Sequence, residues 1–262
     1  MGFVEIDKRT RDKEWSMSEL QSHSYFEVYF LLEGSRRLFI EDKMYDISAP
    51  TVCVIPPFCM HKTEGGAYSR ININVSADCL CGEELDLLYK LGKGGVYRLD
   101  KSKASFFIDL LERSACFPFT SPGEDLLTLS FVRVLLAFLD TGFLNPHTPS
   151  EQIHMAKGDQ TVMQAVTYIK KRFNEDFSLE ELCESLFVSK NLLCSKFRGL
   201  MNCSIMEYRT FMRISKAKEL LISTGMDIGS IAEQCGYSSA NYFSLIFKKE
   251  VGISPMNYRK AK

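Results

Sequence analysis

Two hydrophobic periodicities divide the chain. Between residues 23 and 75 apolar and aromatic residues come in short runs or alternate at period two, the signature of strands. Residues 25–32 form an aromatic and aliphatic run, Glu33-Gly34 breaks it, 37–40 resume it, and Glu41-Asp42-Lys43 reads as a hairpin turn before Tyr45 and Ile47. Residues 52–55 are closed by Pro56-Pro57, and 70–75 alternate Ile71, Ile73 and Val75 with Arg70, Asn72 and Asn74. Repeated short strands with turn punctuation predict a small barrel or sandwich.

After Ser76 the period becomes helical. Helices are expected over 83–91 and 101–115, with Gly92, Gly94 and Gly95 as turn residues between them, since no Gly-Lys-Ser/Thr phosphate loop follows. The segment 124–143 carries two apolar stripes, one of Leu129, Val132, Leu136 and Leu139 and another of Leu127, Phe131, Val134 and Phe138. One surface cannot account for both. The expectation is that one stripe covers the β domain and the other a second copy of the chain, with Leu129, Val132, Leu136, Phe138 and Leu139 forming the dimer helix of a homodimer; the alternative is a helix buried within one subunit. Residues 144–159, with Pro146, Pro149, Ser150 and Gly158, have linker composition. The expected organisation is an α+β two-domain chain: 1–145 as an effector-binding and dimerisation domain, 146–159 as linker, and 160–262 as an all-α domain.

At 262 residues two domains are the default. No apolar stretch is long enough for a membrane span, and Glu5, Asp7, Lys8, Arg9 and Arg11 with no apolar segment behind them do not form a secretory signal, so a cytoplasmic protein is expected. The nine cysteines are odd in number and contain no Cys-x-x-Cys pair, so they read as small buried apolar residues; Cys79 and Cys81, the one close pair, make only a weak metal motif. The formal net charge of −1 conceals an asymmetry: residues 160–262 carry 15 Lys and Arg against 10 Asp and Glu, and the other 159 residues carry 17 against 23. Such a split is expected when only one part of a chain meets a polyanion.

The C-terminal region repeats itself. At an offset of 50, Ser189 falls on Ser239, Leu193 on Phe243, Phe197 on Phe247, Arg198 on Lys248, Ser204 on Ser254, Tyr208 on Tyr258 and Arg209 on Arg259. Upstream the offset becomes 49, with Leu182 on Ile231, Cys183 on Ala232 and Glu184 on Glu233, so the two units differ by one residue at their turns. Ser178 with Glu181 makes a capping box, Ser189 caps the next helix, Asp227 opens the third, Gly236 supplies a sharp turn, and Ser238 or Ser239 starts the last. Each unit is then helix, turn, helix, with the second helix placed to read DNA. Residues 205–221, begun by Ser204, form a connecting helix on the order of 25 Å long, which sets the two readers near one turn of B-DNA, about 34 Å, and predicts an asymmetric site rather than a strict palindrome.

The segment 231–259, IAEQCGYSSANYFSLIFKKEVGISPMNYR, resembles the signature of the AraC/XylS family of bacterial regulators nearly end to end. The upstream SLEELCESLFVSKNLLCSKFRGLM is a looser match, with Phe187 where that family has glycine and Cys183 where it has alanine. The resemblance implies base contacts at Asn191, Cys194 and Ser195 in the first reader and Ala240, Asn241, Ser244 and Leu245 in the second, with phosphate contacts at Ser178, Lys190, Lys196 and Lys248. Asn241 has the clearest chemistry, because an amide pairs bidentately with adenine, and Leu245 suits a thymine methyl. Cys194 and Ser195 are poor readers, so the first unit is expected to discriminate less. Double-stranded promoter DNA and RNA polymerase are the implied macromolecular partners.

More weakly, the front of the chain resembles the cupin-like sensor domain of such regulators: His23, Glu27 and Gly34 match part of one motif, and Pro56 and His61 part of a second, while Gln21 and Phe58 depart from it. His23, Tyr25, Glu27 and Tyr29 share one parity, which points them to one face. With His61 they are the expected pocket for a small-molecule effector, a sugar being the first candidate. Three ligands beside an amide argue against a bound metal, and no cofactor is expected. No nucleophile elbow, His-Glu-x-x-His or paired carboxylates point to an enzyme. The readings left as alternatives are a cupin metalloenzyme and a ligand-independent DNA-binding protein.

Overall fold

A computed structural model describes residues 3–17, 20–99, 101–115, 124–140, 144–146 and 157–260. The chain divides into two compact units, the first formed chiefly by residues before 154 and the second by those after.

The first unit is an antiparallel sheet of β1 (Val4–Arg11), β2 (Phe26–Ile40), β3 (Lys43–Ser48), β4 (Thr51–Ile55), β5 (His61–Glu64), β6 (Tyr68–Val75), β7 (Val96–Leu99) and β8 (Leu144–Pro146), with α1 (Gly82–Gly94), α2 (Lys101–Ala115) and α3 (Glu124–Asp140). The sheet runs β1-β6-β2-β4-β7-β8, and β3 and β5 also pair with the long β2. No pairing among the described residues joins β1 to β8, so the expected barrel or sandwich is seen as a mixed α+β domain built on an open path of strands.

Alternation along the strands makes two cores. Phe26, Val28, Phe30, Val52, Val54, Ile71, Ile73 and Val75 pack with Leu88, Leu91, Phe107 and Leu111 of the helices. Tyr29, Leu31, Leu38, Ile40, Tyr45, Ile47, Cys53, Ile55 and Tyr68 form the second core on the opposite, inner face. Because both faces are covered, β4 is buried at every position. Each large apolar side chain taken from water there stabilises the unit by about 1.5 to 3 kcal/mol.

Several expectations are corrected. Glu33-Gly34 does not end a strand: β2 runs on for 15 residues, with a bulge between Leu31 and Glu33. Gly34 has φ of 84°, and a Cβ there would lie 2.2 Å from the Ala67 carbonyl oxygen, so the close approach of a neighbouring backbone, not a turn, selects glycine. Gly92 and Gly94 lie inside α1, and only Gly95, with φ of 75°, caps it. A Cβ at Gly92 would meet the Pro56 ring at 2.4 Å. His23 and Tyr25 precede β2 rather than sharing its pleat. Strands β1 and β7 were not foreseen. Of the segment expected as linker, Leu144–Pro146 is a strand paired with β7, the next helix already begins at Lys157, and 147–156 lie outside the described residues. The C-terminal end of the 124–143 helix, 141–143, also lies outside them.

On α3 the proposed dimer residues divide. Val132, Leu136 and Leu139, with Leu135, are buried in the core of their own unit, while Leu129 and Phe138 are half-buried and Val134 is exposed.

The second unit holds α4 (Lys157–Arg172), α5 (Leu179–Ser185), α6 (Lys190–Met201), α7 (Ile205–Ser223), α8 (Ile228–Gln234), α9 (Ala240–Val251) and α10 (Pro255–Lys260). Ser178 and Glu181 form the capping box of α5, and Ser204 with Glu207 forms that of α7. The side chains of Ser189, Asp227 and Ser239 accept from the backbone N–H groups of Leu192, Ser230 and Tyr242, satisfying orphan donors at three more helix starts.

Candidate nucleic-acid interface and buried polar cluster

The repeat seen in the sequence is a repeat of structure. Helices α5 and α8 have 7 residues each, and α6 and α9 have 12 each. Leu193 and Phe197 on α6, and Phe243 and Phe247 on α9, are fully buried. Phe197 packs against Tyr208 with ring centres 5.7 Å apart, and Phe247 against Tyr258 at 5.5 Å. Arg209 donates to the Phe177 carbonyl at 3.4 Å, and the equivalent Arg259 donates to the Met226 carbonyl. Both arginines therefore tie the helix after a unit to the residue just before that unit's opening turn.

Burying these apolar faces turns the others outward. On α6, Asn191, Ser195 and Lys196 are exposed and Cys194 is half-buried; on α9, Asn241, Leu245 and Lys248 are exposed, and Ala240 and Ser244 are half-buried. Leu245, a large apolar side chain, is 66% exposed. Lys190 is exposed but held by Glu180 at 2.8 Å, and the exposed Ser178 already uses its hydroxyl in the α5 cap. Of three exposed apolar neighbours, Phe187 was noted from sequence as a departure at the turn, while Leu192 and Tyr242 were not singled out. Their signal was available: none falls on the i, i+4 stripe of buried residues.

Between the two units Arg213 of α7 is buried and donates to the carbonyls of Phe173 at 2.6 Å and Glu175 at 3.1 Å, while its guanidinium lies 5.2 Å from the centre of the Tyr237 ring. One cation thus joins the end of α4 to the turn of the second unit. Burial pushes the Tyr237 hydroxyl up to about 12.

In the N-terminal unit the predicted pocket residues largely converge. His23 Nε2 lies 3.1 Å and His61 Nε2 3.4 Å from Glu27 Oε2. Each histidine's Nδ1 faces a backbone carbonyl, Tyr25 at 2.9 Å and Cys59 at 3.1 Å. A carbonyl only accepts, so each Nδ1 donates and each Nε2 is directed at the carboxylate. The His23 ring stacks on Tyr25 at 3.8 Å. Tyr29 is buried two residues along β2 from Glu27, on the same face. Burial alone would push the Glu27 carboxyl up, but hydrogen bonds from His23 and His61 and their charge outweigh it and hold that carboxyl well below the usual range. His23, Glu27 and His61 each offer one atom of a set lying within 4.8 Å, the grouping that could hold a metal ion, while Gln21 is exposed. Of the close cysteine pair, Cys79 faces the Phe3 carbonyl and Cys81 begins α1.

Two short helical units of matched length, each presenting a capped second helix with an outward polar face, define a double helix-turn-helix DNA-binding domain. The helix-turn-helix domain family matches residues 182–261. Over 91% of this chain and 86% of its own length, the HTH-type transcriptional activator RhaR of Escherichia coli (strain K12) is 23% identical, as is its counterpart in Shigella dysenteriae. The C-terminal domain of AraT, a response regulator from Geobacillus stearothermophilus, is 38% identical over 41% of this chain and 89% of its own, with a TM-score of 0.39. Residues 182–261 thus carry a helix-turn-helix domain, and the relatives that match along most of the chain are HTH-type transcriptional activators. Its relatives are regulators, not enzymes. No described helix is long and apolar enough to cross a membrane.

Proposed function

We propose that the chain is an effector-controlled regulator in which α6 and α9 read two successive major grooves of promoter duplex while the N-terminal unit binds a small molecule. The observation that carries the reading is the matched pair of capped reader helices, whose Asn191, Asn241 and Leu245 point away from the core. Asn241 pairs with adenine, Leu245 meets a thymine methyl, and Asn191, Cys194, Ser195, Ala240 and Ser244 complete the two surfaces. Ser178, Lys190, Lys196 and Lys248 lie at phosphates. The joining helix α7 has 19 residues, about 28 Å, which suits units one helical turn of DNA apart.

His23, Tyr25, Glu27, Tyr29 and His61 mark the effector site. The burial of Glu27, Tyr29 and His61 and the contacts of both histidines with Glu27 support a preformed polar centre within an apolar shell. A sugar is the first candidate, in keeping with the chemistry of polyols among fixed donors and acceptors. Homodimerisation uses the outer side of α3, where Val134 and the ring pair Phe106–Phe138 reach the surface, and RNA polymerase is a further partner. The test is duplex binding by the full chain. If about six to ten phosphates are neutralised, affinity falls by ~10³ to 10⁵ between 50 and 200 mM salt while preference for a selected site over random duplex persists. Equal affinity for both duplexes would instead favour a ligand-independent architectural protein.

A further inference from the structure

The inner face of the N-terminal sheet carries more polar groups than the histidine cluster, and several have nothing to bond. Among the described residues, the Tyr29 hydroxyl, Arg36 Nη2, Arg70 Nη1 and Asn72 Oδ1 are all buried without a hydrogen-bond partner. They belong to one neighbourhood. Tyr29 and Asn72 are register partners across β2 and β6, and Leu31 opposite Arg70 is the next inner-face pair. The Arg70 guanidinium carbon lies 5.8 Å from the Tyr29 ring centre, and both guanidinium charges bear on the Tyr29 hydroxyl, against the upward push that burial gives it.

Arg36 is 2% exposed and forms no ion pair among the described residues. Its Nε donates to Thr63 Oγ1 at 3.0 Å and its Nη1 to the carbonyls of Gly65 and Gly66, while the Tyr68 ring lies 4.5 Å below it, so three sides of the guanidinium are fixed and Nη2 is left beside the Tyr29 hydroxyl. Arg70 Nη2 meets Asp7 at 3.3 Å, which leaves Nη1. Glu27 is engaged by the two histidines and by Asn72 Nδ2. That last bond fixes the Asn72 amide, so Oδ1 is an acceptor directed away from Glu27. A cavity of about 480 Å³ lies against Arg36, walled also by Ser16, Ser35, Ile47, Gly65 and Gly66. The acids on its wall are Glu14, Asp46 and Glu64, of which Asp46 and Glu64 face Arg37 and Lys62 at 3.1 and 3.3 Å, and of the four orphaned groups the cavity borders Arg36, with Tyr29, Arg70 and Asn72 lying deeper.

Three buried donors, two of them on guanidinium groups, call for an anionic acceptor, and one buried acceptor beside them calls for a hydroxyl. We infer that the effector is a small hydroxycarboxylate, its carboxylate received by Arg36, Arg70 and Tyr29 and a hydroxyl donating to Asn72 Oδ1. This rests on the sensor reading above and replaces a neutral sugar with a sugar acid or shorter hydroxy acid. A buried charge without a partner destabilises the free protein, and a carboxylate that supplies the partner recovers that loss on binding.

The test uses the full chain and a panel of glycerate, gluconate and galacturonate against glycerol, glucose, galactose and inorganic phosphate, read by thermal shift and calorimetry. At about 100 times its Kd an acid should raise Tm by about 5 °C or more, and its neutral counterpart should not. Arg70→Gln and Tyr29→Phe should each weaken that acid by about 10- to 100-fold, and Tyr29→Phe should do so without lowering the Tm of the free protein. Tyr29→Phe removes one oxygen only, so it keeps the comparison valid if Arg70→Gln misfolds. Neutral polyols or phosphate matching the acids, variants that bind as well as the parent, or a panel in which no acid shifts Tm would each overturn the inference. Binding of a neutral sugar that alters promoter affinity would leave the sensor reading standing while removing the acid; failure of every ligand found in the cell to alter promoter affinity would remove the sensor reading itself.

Discussion

The two helix-turn-helix units reach the same backbone with opposite turn residues. In the first, the residue after the α5 cap is Phe187, with φ of 54° and a side chain 96% exposed; in the second it is Gly236, with φ of 81°. Left-handed backbone accounts for a glycine preference at both positions, yet only one has glycine. The difference lies behind the turn. A Cβ on Gly236 would sit 2.3 Å from the Asn174 carbonyl oxygen and 2.7 Å from its Cα, whereas Phe187 projects into solvent. A left-handed turn alone is tolerable, but a left-handed turn pressed against another backbone is not. The second unit is therefore docked, with Arg213 sealing the same seam, and the first is freer.

The largest effect should come from Gly236→Ala. With a carbonyl in the way and no flexible side chain to yield, the loss should be about 2 to 4 kcal/mol in chemical denaturation, together with loss of specific DNA binding. A loss no greater than that of an ordinary exposed substitution would show that the seam is not as tight as the backbone positions require.

Next comes the readers' chemistry. Asn241→Ala should weaken the selected site by about 1 to 3 kcal/mol and relax preference at one base pair, and Asn191→Ala, beside the poor readers Cys194 and Ser195, should cost less. Base-preference profiling of both variants decides the matter; equal relaxation at two separate positions would make the units equal readers.

Phe187→Gly should go the other way. Relieving a left-handed non-glycine residue is worth roughly 1 to 2 kcal/mol, and the added freedom of the unfolded chain offsets roughly half of it, leaving a gain of about 0.5 to 1 kcal/mol. If the variant is instead less stable, Phe187 has contacts beyond the turn. If it is stable but binds DNA poorly, the exposed ring belongs to the interface. The smallest effect concerns Lys190, which Glu180 holds at 2.8 Å, an exposed pair of the kind that contributes little to stability. Glu180→Gln should slightly tighten binding to every duplex alike by releasing that cation, and measured affinities on cognate and random DNA test it.

These comparisons also show what the residues alone make legible. The C-terminal domain could be read because its instructions are local: Ser178 with Glu181, Ser204 with Glu207, Asp227 and Ser239 act within one helical turn, and the buried Leu193–Phe197 and Phe243–Phe247 pairs are four apart. The N-terminal unit was harder because its constraints come from distant partners. Gly34 looks like a strand break until Ala67 is placed beside it, and Gly92 looks like a turn until Pro56 is. Alternation at 70–75 identified a strand, but Arg70, Asn72 and Asn74 read as its solvent side, whereas Asn72 is buried and Arg70 nearly so. Arg36 and Arg37 are neighbours of the same chemistry, yet Arg36 is buried and Arg37 partly exposed, a difference set by the distant Thr63, Gly65 and Gly66. His23, Glu27 and His61 could be grouped from spacing and resemblance, but not the hydrogen bonds that fix their directions.

The central claim is that one polypeptide reads duplex DNA with two unequal helix-turn-helix units set one turn apart. The most direct measurement is to select sites from a random duplex library with the full chain and then map base contacts on the best site by methylation interference. The account predicts two separated blocks of major-groove contact, centred about 10 to 10.5 base pairs apart on one face, with the sharper base preference in the block lost on Asn241→Ala. A single contiguous block, or a library that shows no enrichment, would contradict it.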